Sequence, residues 1–319
     1  MNRKKIILSI TILAVLILLI IDPKTNIDAC LKGIKLWATS ILPALFPFFF
    51  LTAILAELGF IQKLGNLFSP ATKALYKTPG ISGYIYLMSI ISGYPVGAKT
   101  TADLYEKNYI SRGQACKITT FTSTSGPLFI VGTVGVSMFG SAKLGYLILI
   151  SHILGAFLNG IIYRNTFKED VCPLKVYTQS ANNVLEDVMF GSIKSILVVG
   201  GYIALFYMLI TMLNSYHIFS PLNNLLALLT HTNPSVTGAF TNGLIEVTRG
   251  CLDVSTLGFC LKKALVICTG LISFGGLSIH MQALTFLKKF DMPLGFYFRA
   301  KVTQTLISVG LAYFFSLFI

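Results

Sequence analysis

Two stretches of this chain, 150 residues apart, set small, hydroxylated and charged residues inside apolar sequence. The first is Ser92-Gly93-Tyr94-Pro95-Val96-Gly97-Ala98-Lys99, followed by Thr122-Ser123-Thr124-Ser125-Gly126-Pro127; the second is Asn242-Gly243-Leu244-Ile245-Glu246-Val247-Thr248-Arg249, followed by Ser273-Phe274-Gly275-Gly276. The chemistry open to such residues is binding. Glycines let a ligand approach the backbone, hydroxyls and amides hydrogen-bond it, and a helix that stops inside a membrane frees amides and carbonyls that must face protein, water or ligand. Pro127 suits the first turn of a restarted half-helix, whose N-terminus carries partial positive charge and fits an anion. Small residues also serve close helix packing in membranes, and that reading stays beside the binding one. Paired interruptions in two halves nevertheless point to a transporter's binding site. The candidate substrate-binding residues are Gly93, Tyr94, Lys99, Ser123, Thr124, Ser125 and Gly126 in the first half, and Asn242, Gly243, Arg249, Ser273, Gly275 and Gly276 in the second.

Lys99 and Arg249 each follow a glycine of the offset pair, Gly93 and Gly243, at the same spacing. Ionisable groups inside a membrane are expensive and usually mark a substrate or ion path, so two cations near a pseudo-two-fold axis would suit a dianion. Two alternatives stand against this: Lys99 can snorkel to the surface, and Glu246 can neutralise Arg249. His152 and His280 are placed to relay protons or to make structural hydrogen bonds, and Asp103 and Glu106 read as solvated loop charges. No nucleophile elbow, phosphate loop, metal-ligand cluster or carboxylate pair in apolar surroundings is present in the sequence, so catalysis, a cofactor and a metal are not expected.

The elements that must hold these residues are membrane helices. With 54% hydrophobic and only 12% charged residues, the 319-residue chain reads as a polytopic membrane protein, since soluble domains are about a quarter charged. Its net charge of +13 sits between apolar runs and reflects loops beside anionic lipid rather than nucleic acid. The six cysteines form no CxxC pair and read as small buried hydrophobes. Arg3, Lys4 and Lys5 before Ile6 to Ile21 look like a signal sequence without a cleavage site, hence an anchor helix.

Apolar stretches run over 36–60, 81–92, 118–139 and 144–163; a polar linker follows, and the series resumes at 189–213, 235–245, 264–286 and 294–319. Each set holds one stretch too short to cross a bilayer, which must enter and return. The same offset aligns Gly126 with Gly276, Gly145 with Gly295, Gly160 with Gly310, Leu144 with Leu294 and Tyr163 with Tyr313. The fold class expected is an all-α polytopic membrane protein: an N-terminal anchor helix and outer loop (1–35), a first repeat of helix, re-entrant hairpin, broken helix and helix (36–163), a cytoplasmic linker (164–187), and a second, inverted repeat (188–319). Placing the N-terminus in the cytoplasm and the C-terminus outside puts most of the 25 lysines and arginines inside, those from Lys288 to Lys301 included.

The GYPVGAK stretch, with Thr119 to Leu128 downstream and Asn242-Gly243 plus Ser273 to Gly276 in the other half, resembles the Gate, or nucleoside-recognition, family, and within it the sporulation integral membrane proteins of endospore-forming bacteria. The resemblance covers nearly the whole chain. It implies a nucleoside-transporter-like fold in the outer forespore membrane, moving dipicolinate out of the mother cell. Dipicolinate is a flat aromatic dicarboxylate; Lys99, Arg249, half-helix amides and the Ser123 to Ser125 hydroxyls could meet its carboxylates, with Tyr94 or Phe274 against the ring. The same set would serve other small acids. A nucleoside cargo, or an assembly factor that transports nothing, are the alternatives. The partners expected are the lipid bilayer and a small anionic metabolite, with no nucleic acid; a homo-oligomer is left open.

Overall fold

The computed structural model describes residues 3–58, 60–167 and 184–318. Those residues are helical, with no strand among them. The helices are α1 (Arg3–Ile21), α2 (Pro23–Leu36), α3 (Leu42–Glu57), α4 (Phe60–Tyr76), α5 (Ile81–Ser92), α6 (Val96–Glu106), α7 (Arg112–Thr119), α8 (Ala142–Ile162), α9 (Val184–Ser215), α10 (Ser220–Thr230), α11 (Pro234–Ile245), α12 (Val247–Thr256), α13 (Leu261–Phe274), α14 (Leu277–Leu287) and α15 (Leu294–Ser316), with π-helical segments at Trp37–Ile41 and Leu128–Met138. Among the described residues three runs are long and apolar enough to cross a membrane, Ala142–Ile162, Leu185–Ser215, and Leu261–Phe290 taken across its break, and the bent pair Lys5–Ile21 and Pro23–Thr39 makes a fourth if it is one span. The chain is an all-α polytopic membrane protein. Most of the linker expected between the repeats, residues 168–183, lies outside the described residues, as does Cys172.

The first departure from the sequence reading is at 22–35, expected as an outer loop. Asp22 accepts a hydrogen bond from the Thr25 amide and Pro23 occupies the first helical position, so a new helix starts there, bent 104° from α1. This α2 packs along α9. Its mixed sequence hid it, because an amphipathic helix lying on another helix lacks the long apolar run of a span.

From α3 onward the order recurs. The first half runs α3, amphipathic α4, the hairpin of α5 and α6, a broken helix made of α7 and the π-helical segment Leu128–Met138, and α8; the second runs α9, α10, the hairpin of α11 and α12, a broken helix made of α13 and α14, and α15. Two apolar cores show how the halves interlock. One joins Tyr84, Ile85 and Val96 of the first hairpin and Cys116 and Ile118 of α7 to Leu287 of α14 and Tyr297 at the start of α15. The other joins Val247 and Cys251 of the second hairpin and Leu265 and Cys268 of α13 to Ile130 and Val134 of the π-helical segment and Leu144 at the start of α8. Each core takes its hairpin and the first half of a broken helix from one repeat, and the second half and the next helix's start from the other. The start of one broken helix thus lies at the end of its counterpart. Arg112, at the head of α7, donates to the carbonyls of Phe290 and Asp291, just past α14. The closing helices of the two halves run antiparallel: a Cβ on Gly155 would meet Ser308, and Tyr163, further along the chain, bonds the earlier Thr303.

Candidate functional site

Each hairpin tip is seated on the break of its own repeat. α5 stops at Gly93, whose φ of 80° lies in the left-handed region that favours glycine, and a Cβ there would fall on the Gly126 amide nitrogen. Tyr94, next in the tip, donates its hydroxyl to the Ser123 carbonyl at 2.7 Å. In the second half α13 stops at Gly275 (φ 75°), and a Cβ on Gly276 would lie 2.8 Å from the Ile245 carbonyl, one residue before the tip at Glu246. Glu246 caps α12, accepting from the amides of Thr248 (3.1 Å) and Arg249 (2.8 Å), so its buried carboxylate is already answered by backbone donors.

Between the tips and breaks lies a cavity of ≈ 130 Å³. Its polar wall comes from both repeats: Ser92, Gly93, Tyr94, Ser125 and Gly126 from the first, and Glu246, Thr248, Ser278 and Gln282 from the second. Its apolar wall is built by Leu45 and Phe48 of α3, Phe129, and Val199 and Ile203 of α9. Two restarted helices, at Pro127–Leu128 and Gly276–Leu277, begin on this space without a side-chain cap. Their first amides supply partial positive charge there. The Ser92 hydroxyl is buried, lines the cavity and has no hydrogen-bond partner among the described residues.

Behind the polar wall, the final helices of the two repeats pin the first break. The Lys301 ammonium, on α15, donates to the Tyr94 hydroxyl (2.6 Å) and to Gln304 Oε1 (3.2 Å), stands 3.4 Å from Ser123 Oγ, and lies 5.0 Å from the Tyr94 ring centroid. Gln304 Nε2 donates to the Ser123 carbonyl at 3.1 Å, filling that oxygen's second lone pair. From α8, His152 Nε2 accepts the Ser125 amide at 2.9 Å; Nδ1 therefore carries the proton and donates to Ser273 Oγ at 2.8 Å. His152 thereby links the two breaks directly.

The structure brings together part of the set expected from sequence. Gly93, Tyr94, Ser125 and Gly126 line the cavity; Ser123 and Ser273 sit behind it in the network just described. Thr124 is buried with its hydroxyl unpartnered among the described residues, and Gly243 packs against Leu271. Lys99 and Arg249 are placed outside the lining. Lys99 pairs with Asp103 at 2.8 Å, and Arg249 Nε lies 2.9 Å from Asp253. Asn242 donates to the same Asp253 at 2.7 Å. Asp103 and Asp253 stand at the repeat offset too, so the shared pattern in the two halves is an ion pair one helical turn long, not a free cation. Asp103 is held by Lys99 and Lys289, so it is no free loop charge, and Glu246 holds amides rather than the Arg249 side chain.

Sequence alone passes over Lys301, because a lysine just after the start of a predicted span reads as a flanking cytoplasmic charge; it is 2% exposed. A signal was available. Tyr297, Lys301, Gln304 and Ser308 recur at i, i+4, i+7 and i+11, a polar stripe along one face of the helix, and all four are buried.

Fold and site together define a polytopic membrane protein built from two hairpin and broken-helix repeats around a shared cavity. Residues 38–160, essentially the first repeat, match the family model Gate, described as nucleoside recognition. The chain is 28% identical to "Sporulation integral membrane protein YlbJ" of Bacillus subtilis (strain 168), over 88% of this chain and 75% of that relative. Both comparisons bear out the resemblance carried by the hairpin and break motifs. No solved structure matches the chain.

Proposed function

We propose that this protein is a sporulation-membrane transporter that carries a small organic acid through the cavity shared by its two repeats and does no chemistry on it. The observation that carries the reading is the convergence of both interruptions on one space, with a hairpin tip and a restarted helix from each half in its lining. Two uncapped helix N-termini favour a carboxylate there, and the apolar wall of Phe48, Phe129 and Ile203 suits a flat ring. Dipicolinate, implied by the family resemblance, combines both features. The sporulation context comes from the similarity to the Bacillus protein. The proposed setting is the outer forespore membrane, N-terminus in the cytoplasm.

One observation favours a second cargo. Among the described residues the lining holds one carboxylate, Glu246, and no lysine or arginine, and the matching family model is described as nucleoside recognition, which supports a neutral nucleoside. Purified protein in liposomes, assayed for exchange of labelled dipicolinate and labelled uridine, separates the two. Dipicolinate exchange blocked by excess unlabelled dipicolinate is the expected outcome. Exchange of uridine alone selects the nucleoside, and exchange of neither ends the transporter reading.

A further inference from the structure

Lys301 has no part in lining the cavity, yet its surroundings are specific. α7 ends at Thr119, and the unwound stretch after it leaves carbonyls at a helix C-terminus, the negative end of its dipole. In transporters built on discontinuous helices, such unwound carbonyls and half-helix C-terminal ends are where the coupling cation is held. Here an ammonium stands beside Ser123 of that stretch, held by side-chain oxygens while the Ser123 carbonyl is taken by Tyr94 and Gln304. It is held by the Tyr94 hydroxyl, Gln304 Oε1 and Ser123 Oγ, all neutral, and none of the described residues supplies it a carboxylate. A buried charge without a counter-ion is costly to keep unless it serves something.

We propose that the Lys301 ammonium is the resident coupling cation of this protein, so that its cycle runs on one proton exchanged at Lys301 and takes no sodium ion. The proposal rests on the transporter reading of the cavity. A metal ion would leave such a place whole; an ammonium tethered to α15 gives up its charge by releasing a proton, –NH₃⁺ becoming –NH₂ plus H⁺, which passes to water admitted from the cavity beside Tyr94, the Lys301 partner that lines it. Tyr94 transmits the change. An ammonium can only donate, so the Tyr94 oxygen accepts from it and the Tyr94 proton is directed to the Ser123 carbonyl, which fastens the hairpin tip to the break. A neutral amine gains one acceptor lone pair, so the Tyr94 hydroxyl can turn to it and leave the Ser123 carbonyl to Gln304 alone. The tip that forms part of the cavity wall is then free to move.

The titratable groups around Lys301 are Tyr94 on the hairpin, His152 on α8, His280 on α14 and Tyr297 on its own helix, whose hydroxyl is 2.9 Å from His280 Nδ1. The lysines of α13, Lys262 and Lys263, lie beside Tyr313 at the far end of α15. No carboxylate stands among these groups.

The test uses full-length protein in liposomes with labelled dipicolinate and labelled uridine as probes, read in two modes: accumulation against a gradient, and exchange with no net driving force. Wild type is expected to accumulate probe under an imposed pH gradient equally in sodium and in choline buffer. Lys301→Arg keeps the charge but does not release a proton at any working pH, so it should lose accumulation and, with the tip held on Ser123, exchange more slowly than wild type. Lys301→Met should lose accumulation as well. Accumulation that needs sodium, or a Lys301→Arg protein that accumulates like wild type, overturns the proposal while leaving the transporter reading intact. Absence of exchange by wild type overturns both.

Discussion

Replacing His152 by leucine tests the claim that one side chain joins the two breaks. The imidazole is fully buried, accepts the Ser125 amide at 2.9 Å and donates to Ser273 Oγ at 2.8 Å. Leucine fills a similar volume and offers neither function, so one buried N–H and one buried hydroxyl lose their partners. Each such orphan costs about 1–3 kcal/mol, so the variant should lose about 2–6 kcal/mol. For a chain of this size that lowers the melting temperature by roughly 5–15 °C. Purified wild type, His152→Leu, Ser273→Ala and the double variant would be heated in detergent and followed by circular dichroism. Ser273→Ala alone should cost about 1–3 kcal/mol, because it strands the imidazole Nδ1–H; made in the His152→Leu background it should cost much less, since its partner is gone. A coupling of about 1 kcal/mol is the expected signature. The reasoning fails if His152→Leu melts within a degree of wild type, or if Ser273→Ala costs the same in both backgrounds.

Two glycines with positive φ make a control pair for the hairpin tip: Gly93→Ala drives a Cβ onto the Gly126 amide and should abolish detergent-stable protein, whereas Gly140→Ala, at φ 64° with open space around it, should cost only about 1–2 kcal/mol. Recovery of well-folded Gly93→Ala on size exclusion would contradict the close seating of tip on break. Lys99→Ala and Arg249→Ala each remove one partner of a partly exposed ion pair outside the cavity lining, so each should change stability by no more than about 1 kcal/mol and leave the half-saturation concentration for dipicolinate exchange within about twofold of wild type. A large loss of affinity in either variant would return the two cations to the binding site.

Much of this fold was legible in the sequence because the bilayer restricts what a chain can do. Stretches such as 144–163 must be helices, a dozen-residue run such as 81–92 must turn back, and Gly-rich, hydroxyl-rich interruptions must be sheltered, so the order of spans, hairpins and breaks follows from apolar run lengths and the 150-residue offset, whereas the amphipathic helices α4 and α10, which carry no span-length apolar run, were not expected. The side-chain partners inside the fold did not follow. Lys99 and Arg249 look like free cations when each half is read against the other, but helical periodicity places Asp103 and Asp253 one turn on, and local pairing claims them first. Lys301, lying near the start of a span, carries the same charge as a flanking loop residue. Only the antiparallel packing of the two repeats sets α15 behind the first hairpin and delivers its ammonium to Tyr94 and Ser123, 207 and 178 residues earlier in the chain. Backbone hydrogen bonding in lipid is a local constraint that each segment satisfies by itself, so sequence determines it. Which buried polar groups meet depends on the rotation of one helix against another, and that is decided when the two halves close over their shared core.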